Sequence, residues 1–357
     1  MRRKIPHTLR AIVVAAIALN LTACANNPKS TSTLSGNSPL TAGNNAASGP
    51  LLDAWWDAGH SGLRTVYGVL GAAHQDLPTF SDGSYSGGAV CMQKDLALLT
   101  TSSGLLYSAV LPQGEPREVA GNGISKASVV FSPSCSASLI YVPGRTTALL
   151  VQGLLSNPTS TSVSLPAGNF LAAVADSGSV LSAISATNGS ASIQLLASGT
   201  GSFQPVSVLG KFGGMSFLPG ADTALFADAS ANTVVEASYP GGAINLTQLA
   251  AASNGVSQPI AVAVSADGQL AAVVNGTGSS VLRLDLSGKS APVITICHCS
   301  PTELVPLAGN FAFRLTEPGS GTVWAFDGNS TLPRVTFIPT DSIATTKSAG
   351  TAQGGSL

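Results

Sequence analysis

The chain has 357 residues, of which 44% are hydrophobic and only 9% are charged, with 39 glycines and 21 prolines. This composition supports a large apolar core interrupted by many turns, as in all-β folds with short strands. The formal net charge is −1, and no basic patch is visible beyond the N-terminal segment, which argues against a nucleic-acid partner.

The first residues combine a basic head, Met1–Arg10, with an apolar run, Ala11–Leu21. A charged head, a short hydrophobic segment and small residues before a cleavage point predict a secretory signal peptide over residues 1–23. The run is too short for a stable membrane span. It ends in Leu-Thr-Ala-Cys, which resembles the lipobox of bacterial lipoproteins. An ordinary signal peptide with a coincidental cysteine is the alternative.

The lipoprotein resemblance implies that Cys24 becomes the mature N-terminus and carries acyl chains such as palmitate on its sulfur and its amine. Several acyl chains together anchor a protein stably where one chain would not. Ala25, not Asp, follows the cysteine. In a two-membrane bacterium the family's sorting rule then implies the outer membrane. We therefore expect a protein of the cell envelope that meets the membrane through its lipid anchor.

Residues 24–50 are almost entirely Ala, Asn, Ser, Thr, Gly and Pro, with a single charge at Lys29. Such a segment cannot bury enough surface to offset its ordering entropy, so it is predicted to be a disordered tether. At the other end of the chain, residues 341–357 are small and polar, and they are predicted to form a flexible tail.

Residues 51–63 begin with LLDAWWDAGH and hold two of the three tryptophans of the chain. The apolar residues recur at helical spacing, with Asp53 and Asp57 on the other side, which predicts a short amphipathic helical turn. We expect it to pack as a peg on the globular body. A contact with the membrane interface is the alternative, but the face bears carboxylates and no Lys or Arg to meet anionic lipid.

Residues 64–340 carry a repeated pattern of short apolar runs. The apolar pairs that open successive units lie 40, 43, 43, 46 and 43 residues apart, beginning at Ala89, Val129, Ala172, Met215, Ala261 and Leu304. A period in the low forties with about four short strands is typical of a β-propeller blade. The predicted fold class is therefore all-β, a propeller of six or seven four-stranded blades. Six units are countable, and Arg64–Ala73 is a further strand-like segment that would tie the last blade to the chain's beginning or belong to a split seventh blade.

The clearest unit spans Pro259–Gly288, where Asp267-Gly268 supplies the turn of a tight hairpin. Its predicted strands are Ile260–Val264, Leu270–Val274, Val281–Leu286 and Val293–Cys297. The run PIAVAVSADGQLAAVVN, followed by VLRLDL, resembles the repeat of YVTN/lactonase-like β-propellers. The resemblance implies the propeller fold and, as one alternative for function, a hydrolase with its site in the central channel.

Four cysteines follow Cys24, and in an exported chain this even count permits one or two disulfides among Cys91, Cys135, Cys297 and Cys299. A bond between Cys297 and Cys299, a bond from this pair to Cys91, and free buried thiols all remain open. A metal at Cys297-His298-Cys299 is disfavoured, because in an extended strand the histidine points away from both cysteines. No metal or cofactor is predicted.

Catalytic motifs of the common hydrolase and nucleotide-binding types are absent from the sequence. The turn carboxylates Asp176, Asp267 and Asp327 are explained by turn preference. Charged residues crowd the last unit and are the best candidates for a polar rim of the channel; they are Glu303, Arg314, Glu317 and Arg334. We expect a solvated structural rim and predict no catalytic residue.

These features predict a monomeric, envelope-anchored propeller that acts as a non-enzymatic scaffold for an unknown protein or polymer. Propellers are rigid bodies on which loops vary freely, and the fold alone does not fix a chemistry. The alternatives are a lactonase-like or other hydrolase and a purely structural role in the envelope.

Overall fold

The computed structural model describes residues 49–120, 124, 127–186, 189–239, 243–319 and 322–339. The predictions for the signal peptide, for Cys24, for all but the end of the tether and for residues 341–357 lie outside these ranges. The described chain forms 27 β-strands and one 3-10 turn, Ala252–Asn254. None of its helical segments has the length and apolarity that a membrane crossing needs.

The strands form seven antiparallel sheets, here called blades, in which successive strands pair with one another. In the described chain, blades 2–7 have four strands and blade 1 has three. Blade 1 comprises β1 (Leu51–Asp57), β2 (Gly62–Val69) and β3 (Ala72–Gln75); blade 2, β4 (Gly87–Cys91), β5 (Leu96–Thr100), β6 (Leu106–Val110) and β7 (Arg117–Ala120); blade 3, β8 (Ser128–Phe131), β9 (Ala137–Tyr141), β10 (Thr147–Gln152) and β11 (Thr159–Ser164). Blade 4 comprises β12 (Asn169–Val174), β13 (Val180–Ser185), β14 (Ala191–Leu196) and β15 (Gln204–Leu209); blade 5, β16 (Phe212–Phe217), β17 (Thr223–Asp228), β18 (Thr233–Ser238) and β19 (Asn245–Ala250); blade 6, β20 (Pro259–Val264), β21 (Leu270–Asn275), β22 (Ser280–Asp285) and β23 (Val293–Ile296); blade 7, β24 (Val305–Pro306), β25 (Ala312–Arg314), β26 (Val323–Asp327) and β27 (Arg334–Ile338).

The blades stack around an axis and bury their faces against one another. One apolar cluster joins Leu181 and Ile193 of blade 4 to Phe217 and Phe226 of blade 5. Second strands such as β5 are buried along their whole length, whereas outer strands such as β11 are largely exposed. A strand covered on both faces needs a continuous apolar run, such as LALLT in β5. An exposed outer strand has no such need, and β11 has the polar sequence TSTSVS. The predicted all-β propeller is confirmed, and the blade count is seven.

The clearest repeat is predicted to within one residue at each strand end. Its four strands are those of blade 6, and Gly268 of the hairpin turn has a φ of +70°, a conformation that glycine adopts readily. The propeller architecture is confirmed, and the narrower YVTN/lactonase-like resemblance stays a prediction.

The prediction of a helical peg is wrong, because Leu51–Asp57 is strand β1 and pairs along its length with β2. A turn organised by Asp57 directs the hairpin: its carboxylate accepts hydrogen bonds from the Gly59 N–H at 3.0 Å and from Arg64 Nη2 at 2.7 Å. Pairing with β2 outweighs a helical spacing that covers a single turn, since tertiary context overrides weak local preference. The propeller therefore begins at Leu51 and not at residue 64.

Arg64–Ala73 covers most of β2 and the start of β3, so it lies in blade 1 and does not pair with the last blade. The direction of β1 is unusual. The Ala308 N–H, after the end of β24, donates to the Leu52 carbonyl near the start of β1, at 2.9 Å. Trp56, near the end of β1, packs against Gly88 at the start of β4. Strand β1 therefore runs antiparallel to the first strands of its neighbours, as the second strand of a blade does.

Candidate functional site

A cavity of about 540 Å³ follows the propeller axis and is lined by residues from all seven blades. This volume lies within the usual range of small-molecule sites. The lining is dominated by apolar groups, among them Trp55, Trp56, Met215, Phe217 and Phe313. It reaches the loops after the first strands at Pro133, Pro219 and Ala266. The central channel is therefore the candidate site.

Three charged side chains meet where blade 7 faces blade 1. Arg314 Nη1 donates to Asp53 Oδ2 at 2.8 Å, and Arg314 Nε donates to Glu303 Oε1 at 2.9 Å. The Asp53 side chain is fully buried and that of Arg314 is 7% exposed. The Arg314 guanidinium also lies 5.6 Å from the centre of the Trp55 ring, within the range of a cation–π contact.

Burial and pairing act in opposite directions on this cluster. Burial raises the pKa of Asp53, and the Arg314 guanidinium offsets only part of that increase. Burial alone would lower the pKa of Arg314, but the nearby charges of Asp53 and Glu303 outweigh it and raise that pKa. Arg314 therefore stays charged, and its charge is matched within the cluster.

The Asp53 carboxylate also bonds to the backbone at the edge of β1 that faces away from β2. Its Oδ1 accepts a hydrogen bond from the Ala54 N–H at 2.8 Å, and the Leu52 carbonyl accepts one from the Ala308 N–H at 2.9 Å. An edge strand presents backbone groups that need partners, and here a carboxylate and a loop amide engage two of them. This cluster has a structural role at the junction of the first and last blades.

The structure brings together three of the four predicted rim residues. Glu303, Arg314 and Glu317 line the cavity. Arg334 does not: it lies on the outer strand β27, its side chain is 61% exposed, and it pairs with Asp327 at 3.3 Å. Sequence reasoning missed Asp53 as the buried partner of the cavity residue Arg314. A carboxylate within a strand of apolar and aromatic residues is an informative signal, but only once the segment is recognised as a strand.

The aspartates Asp176 and Asp267, in the turns that follow first strands, connect neighbouring blades. Asp176 accepts hydrogen bonds from Ser134 of blade 3, with its N–H at 2.9 Å and its Oγ at 2.7 Å, and from the Gly220 N–H of blade 5 at 2.8 Å. Burial would raise the pKa of Asp176, but these bonds hold it below its ordinary value. Asp267 and Asn310 link blades 6 and 7 through a side-chain bond of 2.7 Å. Turn preference alone therefore does not account for Asp176 and Asp267, because both also bond to neighbouring blades.

The four cysteines are joined as Cys91–Cys135 and Cys297–Cys299, with Cα atoms 5.9 Å and 5.0 Å apart. The first disulfide links the end of β4 to the loop after β8, and so connects blades 2 and 3. The second lies in the connection between blades 6 and 7, with an exposed His298 between its cysteines. No group of three or more His, Cys, Asp or Glu residues in the described ranges is arranged to hold a metal ion.

No protein-family model matches this chain, and no curated protein matches it in sequence. Similar solved structures exist. A functionally unknown protein from Desulfotomaculum acetoxidans DSM 771 aligns with a TM-score of 0.54 and 14% identity, over 81% of this chain and 99% of its own. Virginiamycin B lyase from Staphylococcus aureus aligns with a TM-score of 0.49 and 13% identity, over 71% of this chain and 83% of its own. At these identities the first likeness shows the fold alone, and the second is too loose to bear on function.

Proposed function

We propose that this chain is an envelope-anchored β-propeller that binds a protein or polymer partner with its loops and the mouth of its central channel, without catalysis. The observation that carries the proposal is the cavity of about 540 Å³, whose lining is mainly apolar and whose buried charges are matched against one another. Aromatic side chains such as Trp55 and Trp56 give large contact areas at a low cost in conformational entropy.

The bonding of the charged cluster favours binding over proton transfer. A general acid or base needs a group that can reach the substrate and exchange its proton. Asp53 already engages Arg314 and the Ala54 N–H, and Glu303 engages Arg314 as well. These contacts support a structural role for both carboxylates, and thus a non-enzymatic channel.

The anchoring part of the proposal rests on the Leu-Thr-Ala-Cys motif. Acyl chains on Cys24 would hold a monomeric propeller at the outer membrane. Growth with a clickable palmitate analogue tests this: the native chain should carry the label and sediment with membranes, and Cys24→Ala should lose both properties. Cys297→Ala serves as the matched control and should keep the label. An unlabelled native chain in the soluble envelope fraction would refute the anchor.

Site-specific photo-crosslinking in whole cells tests the binding function. A crosslinking amino acid at Glu317, an exposed residue of the cavity lining, should capture a discrete partner. The same amino acid at Val208, which is 71% exposed on the outer strand β15, is the control and should not.

The other outcomes assign the alternatives. Turnover of lactone or ester substrates by the purified chain, lost on mutation of channel carboxylates, would refute the binding proposal in favour of a hydrolase. Equal capture from both positions, or no capture, would refute channel binding and favour a structural role.

A further inference from the structure

The two disulfides differ in how far solvent reaches them. Cys135 is fully buried and Cys91 is 9% exposed, and both belong to the apolar cluster between blades 2 and 3. Disulfides exchange when a thiolate attacks one of the two sulfurs, so the rate depends on access to a sulfur atom. A thiolate can reach the Cys91–Cys135 bond only after these two blades separate locally. This disulfide is therefore protected by the fold.

The Cys297–Cys299 bond lies nearer the surface. Cys297 is 3% exposed and packs in the apolar cluster between blades 6 and 7. Cys299 is only half-buried, and its neighbours His298 and Ser300 are both exposed. Cys299 Sγ is therefore the sulfur that a thiolate from solvent reaches first. Exposed disulfides are typically the labile ones that take part in exchange, whereas the structural disulfides of secreted proteins resist reduction.

The backbone around this second bond allows it to open without unfolding the blades. The Cys297 N–H donates to the Ser279 carbonyl at 2.8 Å, and the Thr302 N–H donates to the Leu315 carbonyl at 2.8 Å. Between these two bonded positions, residues 298–301 belong to no strand. The sequence separation of the two cysteines is 2, so their bond closes a very short loop and adds little to the stability of the fold. Its reduction therefore leaves the strand pairing of both blades in place.

We propose that Cys297–Cys299 is a thiol–disulfide exchange site that oxidises one dithiol per chain. In the first step, a substrate thiolate attacks Cys299 Sγ and a new S–S bond forms between them. Cys297 Sγ leaves with the electron pair of the broken bond and takes up a proton. In the second step, the other substrate thiolate attacks the substrate sulfur in the mixed disulfide, and Cys299 leaves as a thiolate that takes up the second proton. The substrate loses two electrons and two protons and becomes a disulfide, and both cysteines become thiols.

The position of Cys297 favours a dithiol substrate over a monothiol. After the first step, Cys297 stays close to the mixed disulfide, because its N–H is bonded to the Ser279 carbonyl and Cys299 follows at a sequence separation of 2. Its thiolate can attack Cys299 Sγ again and expel a monothiol before a second molecule arrives. The second thiol of a dithiol is held in the same molecule, so its attack competes with this return. The exchange involves neither the anchor nor the channel mouth, so it does not depend on the proposed function.

Alkylation of the folded native chain during reduction by dithiothreitol tests the proposal. Peptide mapping should show Cys297 and Cys299 labelled at least about a hundredfold faster than Cys91 and Cys135, which are the internal control. One oxidised dithiothreitol should form per chain, and the near-ultraviolet circular dichroism should stay native. With mercaptoethanol at the same thiol concentration, labelling of Cys297 and Cys299 should be at least about tenfold slower. A reduced Cys-Gly-Ser-Cys peptide distinguishes the source: reaction assigns the site to protein dithiols, and no reaction assigns it to small dithiols.

Two single variants test which sulfur is attacked. Cys297→Ser leaves the thiol of Cys299 unpaired, and Cys299→Ser leaves that of Cys297 unpaired. The aromatic disulfide dithiobis(nitrobenzoate) should react at least about tenfold faster with Cys299 than with Cys297, because burial limits access to the thiolate.

Three results would overturn the proposal. The first is labelling of both cysteine pairs at equal rates, or labelling of Cys297 and Cys299 only once the circular dichroism shows unfolding. The second is equally fast reduction by dithiothreitol and by mercaptoethanol, which would remove the preference for a dithiol. The third is a faster reaction of Cys297 than of Cys299 in the single variants, which would contradict attack at Cys299 Sγ.

Discussion

Arg314 and Asp53 lie 261 residues apart in the sequence and form a buried ion pair, with Arg314 Nη1 donating to Asp53 Oδ2 at 2.8 Å. The pair joins the last blade to the first. Gln93, in the loop after β4 of blade 2, also reaches blade 7, with its Nε2 donating to the carbonyls of Leu307 and Gly309 at 3.2 Å and 3.0 Å. In the described chain, the ring is therefore closed by side chains and by one backbone bond from Ala308 to Leu52.

Arg314→Met should destabilise the fold strongly, because it leaves the buried carboxylate of Asp53 without its counter-charge. Removing one partner of a buried pair costs about 3–5 kcal/mol of unfolding free energy. Arg334→Met removes the exposed pair with Asp327 and should cost about 0–1 kcal/mol. Urea unfolding of both variants gives the comparison. Equal stability of the two variants would contradict the structural role of the Asp53–Arg314 pair.

Asp176 should make stability dependent on acid pH. The folded-state pKa lies below the ordinary value of 3.8, so its stabilising contribution is complete above that value. The contribution is lost as the pH falls through the lower pKa of the folded state. Asp176→Asn should lower the melting temperature at pH 7 and flatten its decline between pH 5 and pH 2. Glu115→Gln, on an exposed connection, is the charge control, and a decline in Asp176→Asn as steep as in the native chain would contradict the prediction.

Gly214→Ala should disrupt the contact between blades 5 and 6. Gly214 has a φ of +106°, and a Cβ there would lie 2.8 Å from the Val262 nitrogen and 2.9 Å from the Ala261 Cα. Strain and overpacking of the backbone each cost about 1–3 kcal/mol, so we expect a loss of roughly 2–6 kcal/mol. Gly201→Ala, where the Cβ meets open space, should change stability by less than about 0.5 kcal/mol. Thermal unfolding distinguishes them, and comparable losses would argue against the close approach of these blades.

The two disulfides should contribute unequally. Their cysteines are separated by 44 residues in Cys91–Cys135 and by two in Cys297–Cys299. Loop-closure entropy then assigns about 4 kcal/mol to the first and about 1.5 kcal/mol to the second. Replacing both cysteines of each pair by alanine, in separate variants, and measuring urea unfolding tests this difference. A greater loss from removal of Cys297–Cys299 would contradict the entropic account.

The sequence predicted the parts of the fold that depend on local pattern. The strands of blade 6 follow from alternating apolar residues around Asp267-Gly268, because a hairpin brings neighbours in sequence together. The period of about 43 residues led to the propeller. The prediction of a helical turn at Leu51–Asp57 was wrong, because apolar residues at helical spacing over a single turn are weak evidence against pairing with a neighbouring strand.

The candidate site was predicted only in part, for a different reason. Charge density in the last unit identified Glu303, Arg314 and Glu317, which share one blade. The partner of Arg314 across the ring is Asp53, and no local pattern relates residues that far apart. Arg334 shows the converse, because nearness in sequence placed it among channel residues although its strand lies on the outside.

The six short connections that follow the innermost strands in the described chain have consequences for engineering. They hold Asp176, Asp267 and Asn310, whose bonds span neighbouring blades. Insertions there would cut several blade-to-blade bonds at once. On the opposite rim the connections differ in length, and the exposed residues 81–84, within the connection 76–86, are the place where a tag, an epitope or a grafted recognition loop can be added with least disturbance.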